Sequence, residues 1–294
     1  MWHPIREQGQ HVIFTAMFGA AYPVPTLARV DERIRYVCFS DVPRNQPPWE
    51  WHYAPRWFVD TKLTVGYLRR MPHLWFGRAK AVWVDSVLTN LNVTVEDIDG
   101  WLAKHPVAAC DHGARTSVAE EAGTVLMMGL DDPERVNAAL ERWKAEGFKD
   151  DLGLAATMIT AYDLAHPKMP TFCEAWWDNN LHGSRRGQIG FTPALWKAGI
   201  GWARIPANWC IPNRYFSRPV EAPTTEGRAM KKANMALNPI DGGNSEFIPE
   251  VWSDTTLRVN QLLNTVSVGR PTEESTCYPP GTQVSPLTPP DLRL

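Results

Sequence analysis

Short apolar runs that end on an acidic residue are the feature that most constrains how this chain can fold. Residues 79–84 (AKAVWV) form one such run, which ends on Asp85, and residues 107–110 (VAAC) form another, which ends on Asp111. Runs of the same character occur at 11–16 (HVIFTA) and 35–39 (RYVCF). Continuous apolar strands belong to a sheet that is covered on both faces. An acid directly after such a strand lies at the edge where α/β enzymes bind ligands.

Helical segments separate these strands. Asp132, Pro133 and Gly147 mark the cap, first turn and C-terminal end of one helix. Thr94 and Asp97 form a capping-box pattern at the start of another. Helices are predicted over 61–71, 95–104, 117–122, 133–146 and 152–165, and an irregular Pro-rich loop over 42–57. Because strands alternate with helices over the first two hundred residues, we predict an α/β layer fold.

Composition limits the partners of the chain. Its 294 residues carry 30 Lys and Arg against 32 Asp and Glu, a net charge of −2, which excludes a uniformly basic coat but allows a local basic face. None of the five cysteines forms a CxxC pair, and Cys38 and Cys110 lie in apolar strands, so we expect buried thiols in a reducing compartment. Residues 1–10 show no signal-peptide pattern, and no run of 18 apolar residues occurs. We therefore expect a cytoplasmic protein without a membrane partner.

The composition of the sequence changes after residue 201, where Pro, Asn and Trp become frequent and the periodicity of apolar residues weakens. We predict an α/β domain over residues 1–203, an irregular C-terminal extension over 204–268 and a Pro-rich tail over 269–294.

Two basic stretches flank the strand ends. Residues 56–80 contain six Lys or Arg residues against one acid, with aromatic side chains between them. The second stretch, GSRRGQ at 183–188, is compact and polar and follows Asp178. Because the planar fork of arginine suits a phosphate or diphosphate, some of these residues are expected to bind phosphate. A solvated helix face and a polar loop with local salt bridges are the alternatives.

Three side chains after the strands have more than one interpretation. Asp85 can bind a metal that bridges two phosphates, or it can only cap a turn. His112 can be a second metal ligand, a phosphate-binding cation or a structural hydrogen-bonding group. Arg115 can bind phosphate or form a salt bridge with Glu120 or Glu121. The sequence contains no GxGxxG, Walker A, GxSxG or HExxH pattern, which disfavours dehydrogenases, NTPases, common hydrolases and zinc modules.

An ordered set of short motifs resembles one known family, first named domain of unknown function 616 and grouped with GT-A-fold glycosyltransferases. The motifs are IFTAMFGAAY at 13–22, CFSD at 38–41, Lys62, PHLWF at 72–76, WVD at 83–85, His112 with Arg115, EEA at 120–122 and SRRGQIGF at 184–191. They span about residues 11–195. Two positions depart from the pattern. The Asp-x-Asp metal motif of GT-A enzymes lacks its second acid in WVDSV, and the family's Asp between Arg and Gln is Gly187 here.

The resemblance implies a GT-A-like, Rossmann-type nucleotide-sugar-binding domain with a mixed central sheet. It implies transfer of a hexose or pentose from a nucleotide-sugar donor, foremost a UDP-sugar, with Mn or Mg held by Asp85 and His112. The catalytic residues are then Asp178, Arg186 and Gln188, and the substrate-binding residues are Thr15, Ala16, Tyr22, Asp41, Lys62, Arg69, His73, Arg115 and Arg185. Glycine at position 187 implies an altered sugar or a substitute carboxylate from Asp178.

The acceptor stays open. Residues 204–232 carry six basic residues against two acids, with Trp209, Tyr215 and Phe216 between them. One hypothesis is therefore a DNA acceptor that is glycosylated on a flipped hydroxylated base, as in phage-type enzymes. A glycan, a protein or a small molecule is the alternative acceptor, in which case the basic stretch is a surface loop. A non-catalytic sugar- or nucleic-acid-binding module is a further alternative, because two expected acids are missing.

Overall fold

A computed structural model describes residues 10–19, 24–208 and 212–217 of the 294-residue chain. In these ranges seven strands form one sheet in the order β3-β2-β1-β4-β6-β5-β7. The strands are β1 (His11–Met17), β2 (Ile34–Ser40), β3 (Glu50–Tyr53), β4 (Lys80–Val84), β5 (Val107–Asp111), β6 (Ala155–Asp163) and β7 (Ala203–Ile205). Neighbouring strands are parallel except for β6, which is antiparallel to both β4 and β5. The mixed sheet confirms the predicted α/β class and is compatible with a Rossmann-like fold.

The strand order reverses between β1 and β4. β2 and β3 extend the sheet on one side of β1, whereas β4 is parallel to β1 on its other side, with Ile13 opposite Val82. The chain therefore leaves these two adjacent strands toward opposite edges of the sheet, which opens a crevice at their carboxyl ends. Open α/β sheets bind their ligands at such a point.

Helices cover both faces of the sheet. They are α1 (Thr61–Arg70), α2 (His73–Phe76), α3 (Val95–Trp101), α4 (Val118–Met127), α5 (Pro133–Glu146), α6 (Met169–His182) and α7 (Gly187–Ala198). Phe14 and Trp83 point from the sheet into an aromatic core with α1, α2, α6 and α7, where Trp176 is fully buried. Ile13 and Val82 point the other way, into a core that α3 shares with residues 215 and 216. α4 and α5 pack on α7 in a third cluster.

Several local predictions are confirmed. α5 begins at Pro133 with Asp132 as its cap, and Gly147 takes a left-handed φ of 96° at its end. Both hydrogen bonds of the capping box between Thr94 and Asp97 are present at the start of α3. Cys38 and Cys110 are buried free thiols. These features depend on neighbours in sequence, which is why a local pattern predicts them.

The helix predicted over 152–165 is wrong, because this segment contains β6. Its alanines and leucines are good helix formers, but intrinsic propensity is worth less than about 1 kcal/mol per residue and tertiary contacts can override it. In the sheet, Thr160 lies opposite Trp83 of β4 and also opposite Ala109 of β5, so β6 pairs on both sides. Pairing with two strands outweighs the local preference. The loop predicted over 42–57 similarly contains the short edge strand β3.

The domain boundary predicted after residue 203 falls inside β7, which pairs in parallel with β5. Tyr215 is buried, with its ring 5.1 Å from that of Trp101 in α3. The described residues that follow the boundary therefore belong to the core of the α/β domain. The predicted tail over 269–294 lies outside the described residues. In the described ranges no helix is both long and apolar enough to cross a bilayer.

Asp132→Ala should lower the free energy of unfolding by about 1 kcal/mol, because the Asp132 carboxylate accepts hydrogen bonds from two N–H groups that start α5. Asp132→Asn should retain most of this stability, since an amide oxygen also caps a helix. Urea denaturation measures both changes, with Glu141→Ala, an exposed change within α5, as the control. An equal loss for the Ala and Asn variants would contradict the capping role.

Candidate functional site

Two consecutive arginines, Arg69 and Arg70, end helix α1 and are buried. We call them the arginine pair. Arg69 donates from Nη2 to the carbonyl oxygen of Thr157 in β6. Its guanidinium carbon lies 5.5 Å from the ring centre of Trp83 and 5.3 Å from that of Trp176. A carbonyl dipole and two aromatic faces therefore replace water around this charge.

Arg70 has fewer partners. It is 3% exposed, and its guanidinium carbon lies 5.1 Å from the ring centre of Trp176. Its Nε atom has no hydrogen-bond partner, and no carboxylate in the described part of the chain forms an ion pair with it. Burial, followed by the charge of Arg69, lowers the pKa of Arg70 to about 9. A buried cation without a counter-ion is costly, and perturbed groups of this kind cluster at functional sites.

The first turn of α7 lies beside the arginine pair. A Cβ atom added at Gly187 would lie 2.8 Å from Nη2 of Arg70 and 3.8 Å from Nη1 of Arg69. The missing side chain therefore leaves space for both guanidinium groups. No side chain caps the start of α7. Its first N–H groups and the positive end of its dipole therefore lie beside the pair and can donate to an anion bound there.

Arg185 and Arg186 directly precede α7 and are half-buried. Arg185 donates from Nη1 to the carbonyl oxygen of Asn180, and burial with the charge of Arg135 lowers its pKa to about 10. The Nε atom of Arg186 is buried without a hydrogen-bond partner. These two residues and the arginine pair form what we call the arginine cluster.

Packing between α6 and α7 positions the cluster. Trp176 of α6 donates from its indole N–H to the carbonyl oxygen of Gly187 at 3.0 Å. Asn179 donates to the carbonyl oxygen of Gly190 at 3.0 Å. The helices are so close at this point that a Cβ atom on Gly190 would lie 2.8 Å from Cβ of Asn179. The tryptophan that stacks on the arginine pair therefore also holds the start of α7 against it.

Asp85 lies directly after β4, as predicted. Its Oδ1 atom accepts a hydrogen bond of 2.6 Å from the indole N–H of Trp83 and lies 3.5 Å from Nη1 of Arg69. The Asp85 side chain is 31% exposed, whereas that of Arg69 is 11% exposed. Asp85 therefore belongs to the same site as the arginine cluster and lies where that site reaches solvent.

His112 belongs to a different cluster. Its Nε2 atom lies 3.2 Å from Nη2 of Arg115 and 3.6 Å from Oε2 of Glu121, and its side chain is buried. Arg115 donates to the same carboxylate, as the salt-bridge interpretation of Arg115 predicts. Burial lowers the pKa of His112. The ion pair between Arg115 and the buried Glu121, with His112 beside it, therefore joins the segment after β5 to α4.

The side chains around Asp85 do not form a metal centre of several protein ligands. Among the described residues no group of three or more His, Cys, Asp or Glu side chains is arranged to hold a metal ion. Asp85 already forms an ion pair with Arg69, whose positive charge would repel a metal ion bound to the same carboxylate. The metal therefore stays a prediction. It would be a Mn or Mg ion held by one carboxylate together with the phosphates of the donor.

A second polar group lies at the ends of β1 and β2. Asp41 accepts hydrogen bonds from the backbone N–H of Gly19 at 2.6 Å and from Nε of Arg56 at 2.7 Å. Arg44 donates to the carbonyl oxygen of Gly19. Asp41 therefore braces the two strand ends, and a carboxylate has lone pairs left to accept from a ligand.

The two β1 residues predicted to bind substrate, Thr15 and Ala16, are buried, and Thr15 Oγ1 has no hydrogen-bond partner. They support this edge from within the sheet. Tyr22 lies outside the described residues.

Three further residues of the predicted site lie on helices, and they differ in whether they lie next to the arginine cluster. Gln188 is half-buried in the first turn of α7, next to Gly187. Lys62 is exposed at the N-terminal end of α1, opposite to the arginine pair. On α6, Oδ1 of Asp178 lies 2.8 Å from Nδ1 of His182, and Oδ2 of Asp178 lies 3.8 Å from Nη1 of Arg142 in α5. The structure thus brings Gln188 to the cluster and directs Asp178 toward α5.

Arg70 is missing from the site predicted from sequence, although it is the most deeply buried cluster member. The signal available was the Arg-Arg sequence among aromatic residues at the end of a predicted helix. Which basic residues of this stretch turn inward depends on where α6 and α7 pack, so a local pattern could not separate Arg70 from the exposed Arg56, Lys62 and Arg78.

The basic stretch predicted to contact DNA is described only in part. Arg214 pairs with Asp97 at 2.8 Å and lies over the ring of Tyr215 at 4.4 Å. Tyr215 and Phe216 are each 1% exposed, so they belong to the core and are not available to stack on a base. Arg218, Arg228, Lys231, Lys232 and Trp209 lie outside the described residues.

Compared with known proteins, the sequence matches no family model and no curated protein.

His73 predicts a pH effect on stability. Burial lowers its pKa in the folded protein to about 4, below the ordinary value of 6.5, so the unfolded chain takes up a proton first as the pH falls. Stability is therefore unaffected by His73 above about pH 6.5 and falls progressively toward about pH 4, by up to about 3 kcal/mol.

His73→Gln should remove this part of the acid destabilisation, which urea midpoints measured across that pH range would show. His52, whose pKa burial also lowers to about 4, remains in the variant and keeps a residual slope. An unchanged pH dependence would contradict a half-buried His73 that is neutral in the folded protein. The neutral ring at physiological pH also argues against His73 as a phosphate-binding cation.

Proposed function

We propose that this protein is a glycosyltransferase that takes a sugar from a nucleotide-sugar donor, foremost a UDP-sugar. The observation that carries the proposal is the arginine cluster at the carboxyl edge of the sheet. Two of its guanidinium groups are buried with few counter-charges, and an uncapped helix start lies beside them. A diphosphate supplies the negative charge and the several acceptor oxygens that such a group of donors lacks.

The position of the cluster supports a nucleotide rather than an isolated phosphate. Asp85 follows β4, and Asp41 with Gly19 follows the ends of β2 and β1. β1 and β4 are adjacent strands between which the strand order reverses. A ligand in that crevice can place a nucleoside over β1 and β2 while its diphosphate reaches the cluster.

The chemistry of transfer makes use of these charges. An acceptor hydroxyl oxygen forms a bond to the anomeric carbon of the sugar, and the bond from that carbon to the diphosphate oxygen breaks. The acceptor loses its proton to a base, and the electron pair of the broken bond leaves with the diphosphate. Guanidinium groups and helix N–H groups already in place stabilise that charge in the transition state. Arg186 and Gln188, which border Gly187, are the residues that we expect to face the leaving group and the sugar.

Two acidic residues of the predicted site, Asp85 and Asp178, have roles that stay predictions. Asp85, at the solvent-facing side of the cluster, lies 3.5 Å from Arg69, and a Mn or Mg ion held there together with the donor phosphates stays a prediction of the resemblance. A metal in that position would add Lewis acidity at the phosphate oxygens. Asp178 as a base stays a prediction, and its contacts with His182 and Arg142 do not favour it.

The acceptor is not identified by the described residues. DNA as acceptor, a cytoplasmic location and membership of the family named above stay predictions. Two of the motifs behind that resemblance lie beside the arginine pair, since Asp85 of WVD is 3.5 Å from Arg69 and SRRGQ leads into the start of α7. A non-catalytic sugar-binding module would use the same site without turnover, so the experiment must measure both binding and chemistry.

Thermal-shift measurements with UDP-glucose, UDP-galactose, UDP-N-acetylglucosamine and the corresponding GDP and ADP sugars test the proposal. A bound donor stabilises the folded state by mass action, by about 2.7 kcal/mol at a hundredfold excess over Kd. We expect at least one donor to raise the melting temperature and to be hydrolysed slowly to sugar and nucleoside diphosphate without an acceptor. Binding without hydrolysis would favour the binding module, and no shift with any donor would contradict the proposal.

Asp41→Asn should weaken UDP binding by roughly tenfold, because loss of one charge-assisted hydrogen bond is worth about 1.5 kcal/mol or more. The amide keeps the shape of the side chain, so the brace at Gly19 is disturbed as little as possible. Binding of inorganic pyrophosphate, which has no nucleoside, should be nearly unchanged. Equal weakening of UDP and pyrophosphate in calorimetric titrations would move Asp41 from the nucleoside to the diphosphate.

A further inference from the structure

Arg69 of the arginine pair lies beside the carboxylate that a metal bound to Asp85 would use. Nη1 of Arg69 lies 3.5 Å from Oδ1 of Asp85, so the carboxylate already has a cation beside it. A divalent ion on that carboxylate would stand close to Arg69, and like charges repel more strongly where water is scarce. The second predicted ligand, His112, is engaged with Glu121 and Arg115.

We propose that the arginine pair and the uncapped start of α7 bind the donor diphosphate directly and that this binding needs no divalent metal. The proposal rests on the glycosyltransferase function proposed above and specifies how its donor is held. Arg70 is nine-tenths or more buried, has an unpartnered Nε atom and lacks an ion pair among the described residues. A diphosphate would supply Arg70 with both a counter-charge and hydrogen-bond acceptors.

Two glycines create the space that this arrangement requires. A Cβ atom on Gly66 of α1 would lie 2.6 Å from Nη1 of Arg70, and one on Gly187 would lie 2.8 Å from Nη2. Each terminal nitrogen of Arg70 thus lies against a position without a side chain. At position 187 an acidic side chain would lie beside both guanidinium groups and offset one of their two positive charges from within the protein. Glycine leaves their charge available to a ligand.

Replacing Arg70 changes the stability of the ligand-free protein in opposite directions, according to whether Arg70 serves ligand binding or folding. If Arg70 served the fold, its loss would destabilise the protein. Because Arg70 is buried with few partners, replacing it by an apolar side chain of similar length should stabilise the protein that has no ligand. The two effects, on stability and on ligand binding, are measured separately on the same variant.

The experiment is calorimetric titration of the full chain with UDP and with inorganic pyrophosphate, each in excess EDTA and in excess Mn. We expect both ligands to bind in EDTA, with Kd values within about threefold of those in Mn, since a threefold change is less than 1 kcal/mol. Arg70→Met should raise the melting temperature of the ligand-free protein by several degrees and weaken both ligands by about 10- to 100-fold. Arg29→Met, at an exposed arginine, is the control and should change neither quantity.

Gly187→Asp and Gly187→Asn form a matched pair that separates charge from size. Both add a side chain of the same shape beside Arg70, whose flexible end can move to make room. Asp should raise the melting temperature and abolish binding of both ligands, because its carboxylate pairs with the arginines. Asn should weaken binding less and stabilise less. Equal effects of the two variants would contradict the charge argument.

The outcomes separate this proposal from the proposed function. UDP binding that requires Mn and is unaffected by Arg70→Met would overturn the metal-independent site while leaving a nucleotide-sugar enzyme in place. Pyrophosphate binding in EDTA that depends on Arg70, with no binding of any nucleotide sugar, would support the anion site and overturn the glycosyltransferase. A loss of melting temperature in Arg70→Met would show that Arg70 serves the fold and would overturn the proposal.

Discussion

The burial of two adjacent guanidinium groups is the constraint on which the site depends. Arg69 and Arg70 lose most of their water, and they receive a backbone carbonyl, one carboxylate at 3.5 Å and the faces of two tryptophans in return. For Arg70 these partners do not replace its hydration in full, because burial lowers the pKa of its guanidinium group. The aromatic core beneath the cluster therefore holds it together, and in the proposed function the diphosphate of the donor adds the missing negative charge.

The antiparallel direction of β6 is what places backbone acceptors at this site. Because β6 runs opposite to β4, its first residues lie at the carboxyl edge, where β4 ends. Thr157 can thus accept from Arg69, and the carbonyl oxygen of Met158 accepts from the backbone N–H of Asp85 at 2.8 Å. A parallel strand in the same place would bring its last residues to this edge instead. One reversed strand in the sheet therefore links the acid after β4 to the arginines at the end of α1.

Trp176 connects the packing of the fold to the chemistry of the site. Its ring stacks on both members of the arginine pair, and its indole N–H donates to Gly187 at the start of α7. A shift of α6 against α7 would therefore move the aromatic face and the helix start together. The glycines at 187 and 190 allow this close approach, because side chains there would meet Arg70 and Asn179.

The sequence by itself determined the features that depend on near neighbours. The caps of α3 and α5, the apolar strands and the acid after β4 all follow from hydrogen bonds or side-chain alternation within a few residues. Gly187 was also visible as a departure from a motif. Only the tertiary structure decided that residues 155–163 form a strand, that His112 and Arg115 pair with Glu121, and that Arg70 turns inward. Each of these depends on the burial of groups far apart in the chain, and the energy of a buried charge is set by its surroundings rather than by its own sequence.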